Sequence, residues 1–399
     1  MNNKNTHPLE GICVLDFGHT VMGPSCGMVL ADLGAEVIKI EPVGSGDPTR
    51  NLAGFGTGYF GYFNRNKKSI SIDLKSEAGK QVIDRLLCRA DVLIENFAPG
   101  TMDRLGLDFE SVRSVNERLI YASLKGFMDG PYQDRLALDE VVQMMSGLAY
   151  MTGPSGRPLR AGTSVVDITG GLFAAIGILL ALREREETGR GTLVKSALFE
   201  STVFLMGQHL SYAAQSDRPI PPMPERVSAW AIYETFELAD GKPLFVGITT
   251  DNHWVRFCEA IQRNDLKNDP LFSTNNKRIE ARPELLTILK PMFQSMTLDE
   301  AVAICTRARI PFAPVNHPED LFNDPHLAAT NGLLPTRLPN GVTTKLPRLP
   351  IWMEHADFGI RNDPPCVGEH TQELLSSLGL SDNEIVQLHE QGVITLASK

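Results

Sequence analysis

Asp167 is the residue of this sequence whose surroundings best suit covalent chemistry. It follows Ser164-Val165-Val166 and precedes Gly170 and Gly171, after which a long apolar helix is expected, so its carboxylate should lie at a helix N-terminus. An Asp at that place often serves only as the helix cap. The two roles are compatible, because free amides at a helix N-terminus stabilise an anion and can receive the oxyanion of an acyl transfer. We also expect the two glycines to leave room for a bulky thioester.

A second group of residues can hold an anionic ligand. The segment 64–69 (Asn-Arg-Asn-Lys-Lys-Ser) is basic, and Lys75 and Arg104 follow it. An acidic protein that binds phosphates needs a local basic patch of this kind, although a single Lys is more often a solvated surface charge. Asn96 and Phe97 close a predicted strand, and ligands of open α/β sheets bind along that edge.

Other reaction classes lack their sequence signatures. The turn from Gly18 to Gly23 does not have the G-x-G-x-x-G spacing of a dinucleotide site, although Glu41 stands where such a site would hold a ribose. No phosphate-binding G-x-x-x-x-G-K-[ST] loop and no G-x-S-x-G nucleophile turn occurs. The six cysteines include no C-x-x-C pair and no His at metal spacing, so neither a metal site nor a disulfide is predicted. Cys26 falls within the first predicted helix and is interpreted as a small buried residue.

The composition restricts the partners. With 399 residues, 42% hydrophobic and 22% charged, the chain has the profile of a globular enzyme and the length of two domains. Its 38 Lys and Arg against 48 Asp and Glu give a formal charge of −10, which argues against nucleic acid. The polar start Met1–His7 lacks the apolar core of a secretory signal, and the apolar run Leu172–Leu182 is shorter than the roughly 20 residues that cross a bilayer. We expect a cytoplasmic protein without a membrane partner, with this run as a buried helix.

Strands and helices alternate along the first half of the chain. Short apolar runs bounded by glycines predict strands, and longer segments with start and stop signals predict helices. Alternation on this scale predicts an α/β fold, a parallel sheet with helices on both faces. The predicted strands are 11–17, 35–41, 69–73, 91–95, 119–123 and 193–198, and the helices between them include 76–89 and 169–187.

Proline-rich segments divide the chain. Four prolines within 216–224 predict a semi-rigid, extended linker. We expect a large domain whose N-terminal part covers 1–205, a linker over 206–225, a smaller α+β domain over 226–316, a return linker over 317–348, and the C-terminal part of the large domain over 349–399.

The motifs of the chain, taken in order, resemble those of a known family. They are Pro8–Gly11, Leu15–Phe17, Gly23-Pro24, Leu33–Glu41, Gly46–Arg50, Asn64–Ser69, Glu95–Phe97, Thr188–Gly191 and Gly368–Thr371. Each is modest alone, but their order and spacing are specific and cover nearly the whole chain. The sequence is similar to the family III CoA-transferases (the formyl-CoA transferase or CaiB/BaiF type), which include formyl-CoA:oxalate, carnitine and dicarboxylate CoA-transferases and the α-methylacyl-CoA racemases.

The resemblance implies a fold, an assembly and a site. The fold would be a large Rossmann-like domain, with a parallel sheet formed from both chain ends, and a small α+β domain, and two protomers would form an interlocked homodimer. Asp167 would be the nucleophile, without a metal, and CoA would be part of the substrate rather than a permanently bound cofactor. The CoA thioester would be lined by Val21, Met22, Ile72, Asp73, Leu74, Lys75, Asn96, Phe97, Ala98 and Arg104, with Asp139 or Glu140 nearby.

The chain departs from the formyl-CoA:oxalate enzymes at several positions. Pro42 stands where they often carry an Arg, Val21 where they carry a Gln, and Ala137 where they carry a Lys. The glycine run of their flexible active-site loop is replaced by 225–233, which looks more like the dicarboxylate-type relatives. Arg226 in that segment is a candidate partner for a second carboxylate on the acceptor, because a guanidinium pairs bidentately with a carboxylate, although an ordinary surface Arg is at least as common.

The expected reaction transfers CoA from succinyl-CoA, or a similar short-chain acyl-CoA, to a free carboxylic acid, a small dicarboxylate. Anhydride and thioester intermediates would form on Asp167. One alternative is an α-methylacyl-CoA racemase, in which a His and an Asp exchange the proton α to the thioester. Where racemases carry a His-Asp step this chain has Leu138-Asp139. The alternative outside enzymes is a CoA-binding paralogue without turnover, which would be expected to lack the Asp.

Overall fold

The structure, a computed structural model, describes residues 7–225 and 229–397. Its internal contacts divide the chain into two compact units. The large unit comprises Met1–Pro222 and Pro325–Lys399, and the small unit comprises Met223–Asp324. The large unit is therefore built from both ends of the chain.

The elements are numbered in chain order. The strands are β1 (Cys13–Asp16), β2 (Glu36–Glu41), β3 (Lys67–Ile72), β4 (Val92–Glu95), β5 (Ile120–Lys125), β6 (Leu193–Ala197), β7 (Ile232–Glu237), β8 (Pro243–Ile248), β9 (Phe312–Pro314), β10 (Leu333–Arg337), β11 (Thr343–Pro347) and β12 (Ile394–Thr395). The helices of the large unit are α1 (Met22–Asp32), α2 (Thr57–Phe63), α3 (Glu77–Arg89), α4 (Thr101–Leu105), α5 (Phe109–Val115), α6 (Asp139–Met145), α7 (Leu148–Thr152), α8 (Val165–Thr188), α9 (Leu198–Leu205), α10 (Gly207–Ala213), α16 (Pro325–Ala329), α17 (Thr371–Ser377) and α18 (Asp382–Glu390). Those of the small unit are α11 (Asp251–Ala260), α12 (Asn264–Asn268), α13 (Asn275–Glu280), α14 (Arg282–Gln294) and α15 (Leu298–Ala308). Short 3-10 helices cover Pro48–Asn51, Gly54–Gly56, Pro270–Phe272 and Pro318–Asn323.

The large unit contains a seven-stranded sheet in the order β12-β3-β2-β1-β4-β5-β6. Every neighbouring pair from β3 to β6 is parallel, with Leu15 of β1 opposite Ile38 of β2 and Leu93 of β4. The fold is therefore mixed α/β with a sheet dominated by parallel strands, as expected. The strand order reverses between β1 and β4, and ligands of such sheets bind outside the carboxyl ends of the strands at that switch point.

The C-terminal end of the chain adds an antiparallel strand to this sheet. Near its C-terminus the chain meets the carboxyl end of strand β3, where Asp73 N donates to Val393 O at 2.8 Å. From there β12 runs back along β3, with Ile394 opposite Ile72. The expectation that both chain ends supply parallel strands is thereby corrected, because a strand that enters at the carboxyl end of its neighbour must run antiparallel to it.

Helices cover both faces of the sheet. Successive strand residues point to opposite faces, so Val14 belongs to a core with α1 and α8, and Leu15 to a core with α3, α17 and α18. Strands buried on both faces need near-continuous apolar sequence, which explains the short apolar runs that predicted them. The small unit has its own core around Trp254, Phe257 and Phe293 under the sheet β7-β8-β9.

Both predicted linkers contain regular structure. The segment 206–225 includes α10, and 317–348 includes α16 and the antiparallel pair β10-β11, in which Leu334 lies opposite Leu346. Prolines suggested linkers here, but Pro335 and Pro347 lie in a two-stranded ribbon, where a missing amide is tolerated at an edge. The small unit begins at Met223 and ends at Asp324, so its bounds are wider than the predicted 226–316.

Helix α8 begins earlier and is less buried than the sequence predicts. It starts at Val165 rather than near Thr169, and it packs against α1 and β6. Its opposite face leaves Ile176 and Leu180 exposed, Leu180 by 66%. Within the described residues, one helix, α8, is long and apolar enough to cross a membrane, judged by length and composition only. The expected buried helix is thus corrected to a helix with one covered face.

Candidate active site

Asp167 lies in the first turn of α8 and does not cap it. The N-cap position belongs to Ser164, whose side chain makes no capping hydrogen bond in the described chain. Asp139, the first residue of α6, caps the helix instead: its Oδ2 accepts from Val166 N at 2.9 Å and from Asp167 N at 3.2 Å. The capping role expected for Asp167 therefore belongs to Asp139. Among residues 7–225 and 229–397, no side chain or amide hydrogen-bonds the Asp167 carboxylate.

The same contacts leave the first turn of α8 without free amides. Val165 N donates to Thr163 O at 2.8 Å, and Ile168 N donates to Ser164 O at 3.0 Å. Val166 N and Asp167 N are bound to Asp139. The expected oxyanion site at this helix start is therefore wrong, because every amide that would form it already has a partner.

A second side chain holds Asp139 in place. Gln143, one turn later in α6, donates through Nε2 to Asp139 Oδ1. Its Oε1 accepts from Ala161 N at 2.9 Å, just upstream of α8. Asp139 and Gln143 are both buried. The structure thus gives both Asp139 oxygens protein partners, whereas the sequence placed this residue among the CoA contacts.

The environment of Asp167 disfavours its ionised form. Burial, followed by the negative charge of Asp139, raises the pKa of the half-buried Asp167 to about 7, while the charge of Arg160 acts in the opposite direction. Arg160 Nη1 lies 3.7 Å from Glu140 Oε2, and its Nε donates to Ala161 O. Once ionised, a carboxylate with a raised pKa is more basic than an ordinary Asp, which suits a nucleophile. Arg160 was not found from the sequence, because a lone Arg in a loop carries no motif.

Gly170 and Gly171 bring α8 against α1. A Cβ on Gly171 would lie 2.1 Å from Ser25 Oγ and 2.7 Å from Met22 O, and one on Gly170 would lie 2.6 Å from Met22 Cε. The glycines therefore serve helix packing, and the expectation that they leave room for a thioester is wrong. The close approach places Met22, a predicted CoA contact, beside the turn that carries Asp167.

The turn between β1 and α1 meets the end of β4 at the switch point. Asn96 Oδ1 accepts from His19 N at 2.8 Å, and Asn96 Nδ2 donates to His19 O at 3.0 Å. The His19 ring lies 5.3 Å from the Phe97 ring. Thr20, at φ 65°, holds a left-handed conformation that is unusual for a β-branched residue. Val21, Met22, Asn96 and Phe97 are thus brought together as the sequence predicted.

His19 was missed as part of this surface. Its backbone is fixed by the Asn96 side chain, and burial lowers the pKa of its imidazole. In the sequence His19 is one residue of a turn, and the pairing of β1 with β4 places it beside Asn96 and Phe97.

The remaining predicted CoA contacts lie farther along the same sheet edge. Ile72 is buried at the end of β3, Asp73 Oδ1 accepts from Lys75 N, and Lys75 is exposed. Beyond β4, Ala98 and Arg104 are exposed, and Arg104 Nη2 donates to Thr101 Oγ1. Strand β3 lies two strands from β1, roughly 10 Å away at ordinary strand spacing. These residues therefore border the edge without touching Asp167.

The basic segment 64–69 is mostly structural. Arg65 pairs with Asp32 at 2.7 Å and Lys67 with Asp16 at 2.7 Å, and both cations are fully buried. Lys67 Nζ also donates to Pro24 O at 2.9 Å, which ties α1 to the sheet. The phosphate-binding expectation is corrected for both residues, because buried charges are retained only with such partners.

A cavity of about 270 Å³ continues the edge past β4. It is lined at the ends of β5 and β6 by Lys125 and Ser196. Lys125 is paired with Glu95 at 2.6 Å, and Ser196 Oγ donates to Gly170 O at 2.9 Å, next to the Asp167 turn. The cavity therefore adjoins the same edge of the sheet.

Two further expectations concern residues or groups at this site. Arg226, the candidate acceptor contact, lies outside the described residues. In the part of the chain that the structure describes, no group of His, Cys, Asp or Glu side chains is arranged to hold a metal ion.

Known proteins are similar to this chain in sequence and in fold. The family model described as CoA-transferase family III matches residues 9–371. The chain belongs to the family III CoA-transferases. An acyl-CoA transferase from Fusarium pseudograminearum is 35% identical over 97% of this chain and 88% of its own length. The succinyl-CoA–D-citramalate CoA-transferase of Chloroflexus aurantiacus is 31% identical over 98% of this chain and all of its own. The crystal structure of a CaiB/BaiF family protein from Brucella suis matches with a TM-score of 0.83 and 31% identity, over 93% of this chain and 99% of that one.

The family predicted from the ordered motifs is thereby confirmed, and so is the activity class. This family III CoA-transferase is an enzyme whose substrates are CoA thioesters. Its mixed α/β fold matches that of the CaiB/BaiF protein.

Proposed function

We propose that this family III CoA-transferase moves CoA from succinyl-CoA, or a similar short-chain acyl-CoA, to a small dicarboxylate, through covalent intermediates on Asp167. The main support is the Asp167 carboxylate itself, which does not cap α8. It lies at the carboxyl edge of the sheet, beside the turn between β1 and α1. The similarity to a succinyl-CoA–D-citramalate CoA-transferase supports the choice of donor.

The transfer needs neither water nor an external base, because every attacking group is a carboxylate or the CoA thiolate. The Asp167 carboxylate attacks the donor thioester carbonyl, the C–S bond breaks, and a mixed anhydride and CoA thiolate result. The thiolate attacks the aspartyl carbonyl, which releases the donor acid and leaves an aspartyl-CoA thioester. The acceptor carboxylate attacks that thioester and forms a second anhydride, from which the thiolate takes the acceptor acyl group and regenerates Asp167. Water must be excluded, because it would hydrolyse the anhydrides.

The CoA contacts inferred from the family form part of this proposal. Val21, Met22, Asn96 and Phe97 line the switch point, and exposed cations follow along the same edge to receive phosphate groups. The full set also includes Ile72, Asp73, Leu74, Lys75, Ala98 and Arg104, with Glu140 near the α6 start. Their support is the shared carboxyl edge of β1, β3 and β4.

The acceptor is proposed to be held through its second carboxylate. Arg226 remains a candidate from the sequence. Arg160 is a further candidate, because its charge acts on Asp167 and its ion pair with Glu140 is long at 3.7 Å. A planar guanidinium suits bidentate recognition of a carboxylate.

The assembly is proposed to be an interlocked homodimer in the cytoplasm. Exposed apolar side chains on the large unit include Ile176 (51%), Leu180 (66%) and Phe204 (72%), and a second copy of the chain would cover them. Sedimentation should give a dimer, whereas a stable monomer would refute the interlocked arrangement.

The racemase alternative lacks its His. Leu138 occupies the relevant position and is the exposed residue before α6. A hydrocarbon side chain there exchanges no proton, so transfer is the better-supported reaction.

Mass spectrometry of CoA species tests the proposal. The enzyme is incubated in deuterated water with succinyl-, acetyl-, formyl- or glutaryl-CoA and with free acids that include oxalate, succinate, glutarate, itaconate, mesaconate and carnitine. New thioesters should appear only with an acceptor acid present, and Asp167→Ala should abolish them while circular dichroism stays unchanged. Unchanged turnover in that variant removes Asp167 from the mechanism. An α-methyl-branched acyl-CoA is incubated in the same way, and its uptake of deuterium at the α-carbon without transfer of CoA to an acid would make the enzyme a racemase.

A further inference from the structure

We propose that Asp139 and Gln143 act together as positioning residues for the nucleophile: from α6 they fix the first turn of α8 and leave the Asp167 carboxylate unpaired. The proposal rests on the proposed function, in which Asp167 is the nucleophile. It replaces the CoA contact that the sequence suggested for Asp139.

The first support is the geometry of the cap. A helix start is usually capped by the residue that precedes it, but Ser164 does not do this here. Asp139 Oδ2 reaches Val166 N and Asp167 N from another helix, at 2.9 and 3.2 Å. A carboxylate in the first turn is drawn toward free amides of its own helix. Because Asp139 and local carbonyls occupy those amides, Asp167 has none to bind.

The second support is that Asp139 is itself immobilised. Gln143 donates to Asp139 Oδ1 through Nε2, and its Oε1 accepts from Ala161 N at 2.9 Å. One amide group therefore fixes both the capping carboxylate and the segment that enters α8. Gln143 has no exposed surface, so these contacts are shielded from water.

The third support is the distribution of charge around Asp167. Asp139 acts on it from α6, and Arg160 acts from the preceding loop, itself beside Glu140. Helix α1 packs on the same turn through Met22 and Ser25, and β6 contributes Ser196, all of them uncharged. The groups that hydrogen-bond Asp139 are neutral amides, so its negative charge is not cancelled locally. Asp139 therefore makes Asp167 more basic as well as fixing its backbone.

The variant Asp139→Asn separates positioning from substrate contact. It removes the charge, keeps the shape and retains one carbonyl oxygen for the α8 amides. Its Nδ2 then faces Gln143 Nε2, so the hydrogen bond from Gln143 is lost as well. The acid limb of the pH profile of kcat/KM should move to lower pH by about 0.5 or more, and kcat should fall, while KM for the acyl-CoA changes by less than about twofold. Gln143→Met should lower kcat in the same way without raising KM for the acyl-CoA.

Asp108→Asn is the matched control. Asp108 is the N-cap residue of its own helix, α5, and like Asp139 it accepts hydrogen bonds from two first-turn amides, Glu110 N and Ser111 N, both at 3.1 Å; it is not part of the site. It should lower thermal stability but leave the acid limb unmoved. If Asp139→Asn raises KM for the acyl-CoA about tenfold with the acid limb unmoved, Asp139 is a CoA contact and the proposal is overturned.

A double-mutant cycle keeps the test independent of turnover. Asp139→Asn, Asp167→Asn and the double variant are melted at pH 8. Asp139→Asn should lower the melting temperature more in the Asp167→Asn background, because in the wild type it also relieves repulsion between the two carboxylates. Additive shifts would overturn the proposed coupling. If the wild type transfers CoA to no acid, the proposed function fails, and the cycle still decides whether Asp139 acts on Asp167.

Discussion

Replacing Asp167 by Asn should make the folded protein more stable at pH 8, although it removes the proposed nucleophile. Burial and the Asp139 charge raise the pKa of Asp167 from 3.8 to about 7 in the folded state. A carboxyl group whose pKa is raised by folding favours the folded state at low pH, and that advantage is lost as pH rises. The loss runs from about pH 4, where the unfolded chain ionises, to about pH 7. The Asn variant has no such loss.

The size of the effect follows from the two pKa values. A difference of about 3 between them corresponds to at most about 4 kcal/mol in the free energy of unfolding, at about 1.4 kcal/mol for each factor of ten. Asp167 is only half-buried, and solvent screening reduces such contributions. We therefore expect Asp167→Asn to gain about 2 kcal/mol at pH 8 and much less at pH 4.5.

Urea unfolding of the wild type and of Asp167→Asn from pH 4.5 to pH 8, at one fixed protein concentration, measures the difference in their free energies of unfolding. Asp108→Asn should behave oppositely, because hydrogen bonds from Ser111 hold the pKa of Asp108 below its usual range and its carboxylate favours the folded state at high pH. If Asp167→Asn is neutral or destabilising at pH 8, the environment assigned to Asp167 is wrong, whatever its role in transfer.

Three further changes follow from the site. Gly171→Val should separate α1 from α8, because even a Cβ at this position lies 2.1 Å from Ser25 Oγ. We expect a loss of about 1–3 kcal/mol in the free energy of unfolding and of most of the transfer activity. Thermal melting measures the stability, and the transfer assay measures the activity. Arg160→Gln should raise KM for a dicarboxylate acceptor but not for a monocarboxylate, measured by steady-state kinetics on paired acids. Lys67→Met should cost about 3–5 kcal/mol in urea unfolding, because it leaves Asp16 buried without its cation.

The first two of these changes have matched controls, and the third has a result that would contradict it. Gly58→Ala places a Cβ where nothing lies within 4 Å, so it should not lower stability. Arg157→Gln removes an exposed charge from the loop that carries Arg160 and should leave acceptor KM unchanged. For Lys67, a stable variant with raised KM for CoA thioesters would restore the phosphate-binding role that burial argues against.

Local signals predicted much of the fold. The predicted strands 35–41, 91–95 and 193–198 and the predicted helix 76–89 agree within one residue at each end with β2, β4, β6 and α3, because glycines and cap residues such as Ser76 act within a few residues. The start of α8 was misplaced because its cap, Asp139, lies 27 residues before Val166. Sequence reasoning assigns a helix start to nearby residues and has no access to a cap supplied by another helix.

The same limit applies to the basic segment. Arg65 and Lys67 read as surface cations because their partners, Asp32 and Asp16, come from α1 and β1. Burial of a cation depends on which strands are neighbours, and β3 lies two strands from β1 in the sheet. Asn96 and Phe97, by contrast, were placed correctly, because strand ends of a parallel sheet share one edge whatever the strand order.

The sequence assigned helix capping and nucleophilic attack to one carboxylate, whereas in the structure Asp139 caps the helix and the attack is proposed for Asp167 alone. A carboxylate that caps its own helix accepts amide hydrogen bonds, which lower its pKa and occupy the oxygens that must attack. Capping from Asp139 reverses both effects: the amides are satisfied by a group that does not react, and the added negative charge raises the pKa of Asp167. Gln143 holds the capping carboxylate through a hydrogen bond to Asp139 Oδ1. The reactivity proposed for Asp167 therefore depends on α6 as much as on the helix that carries it.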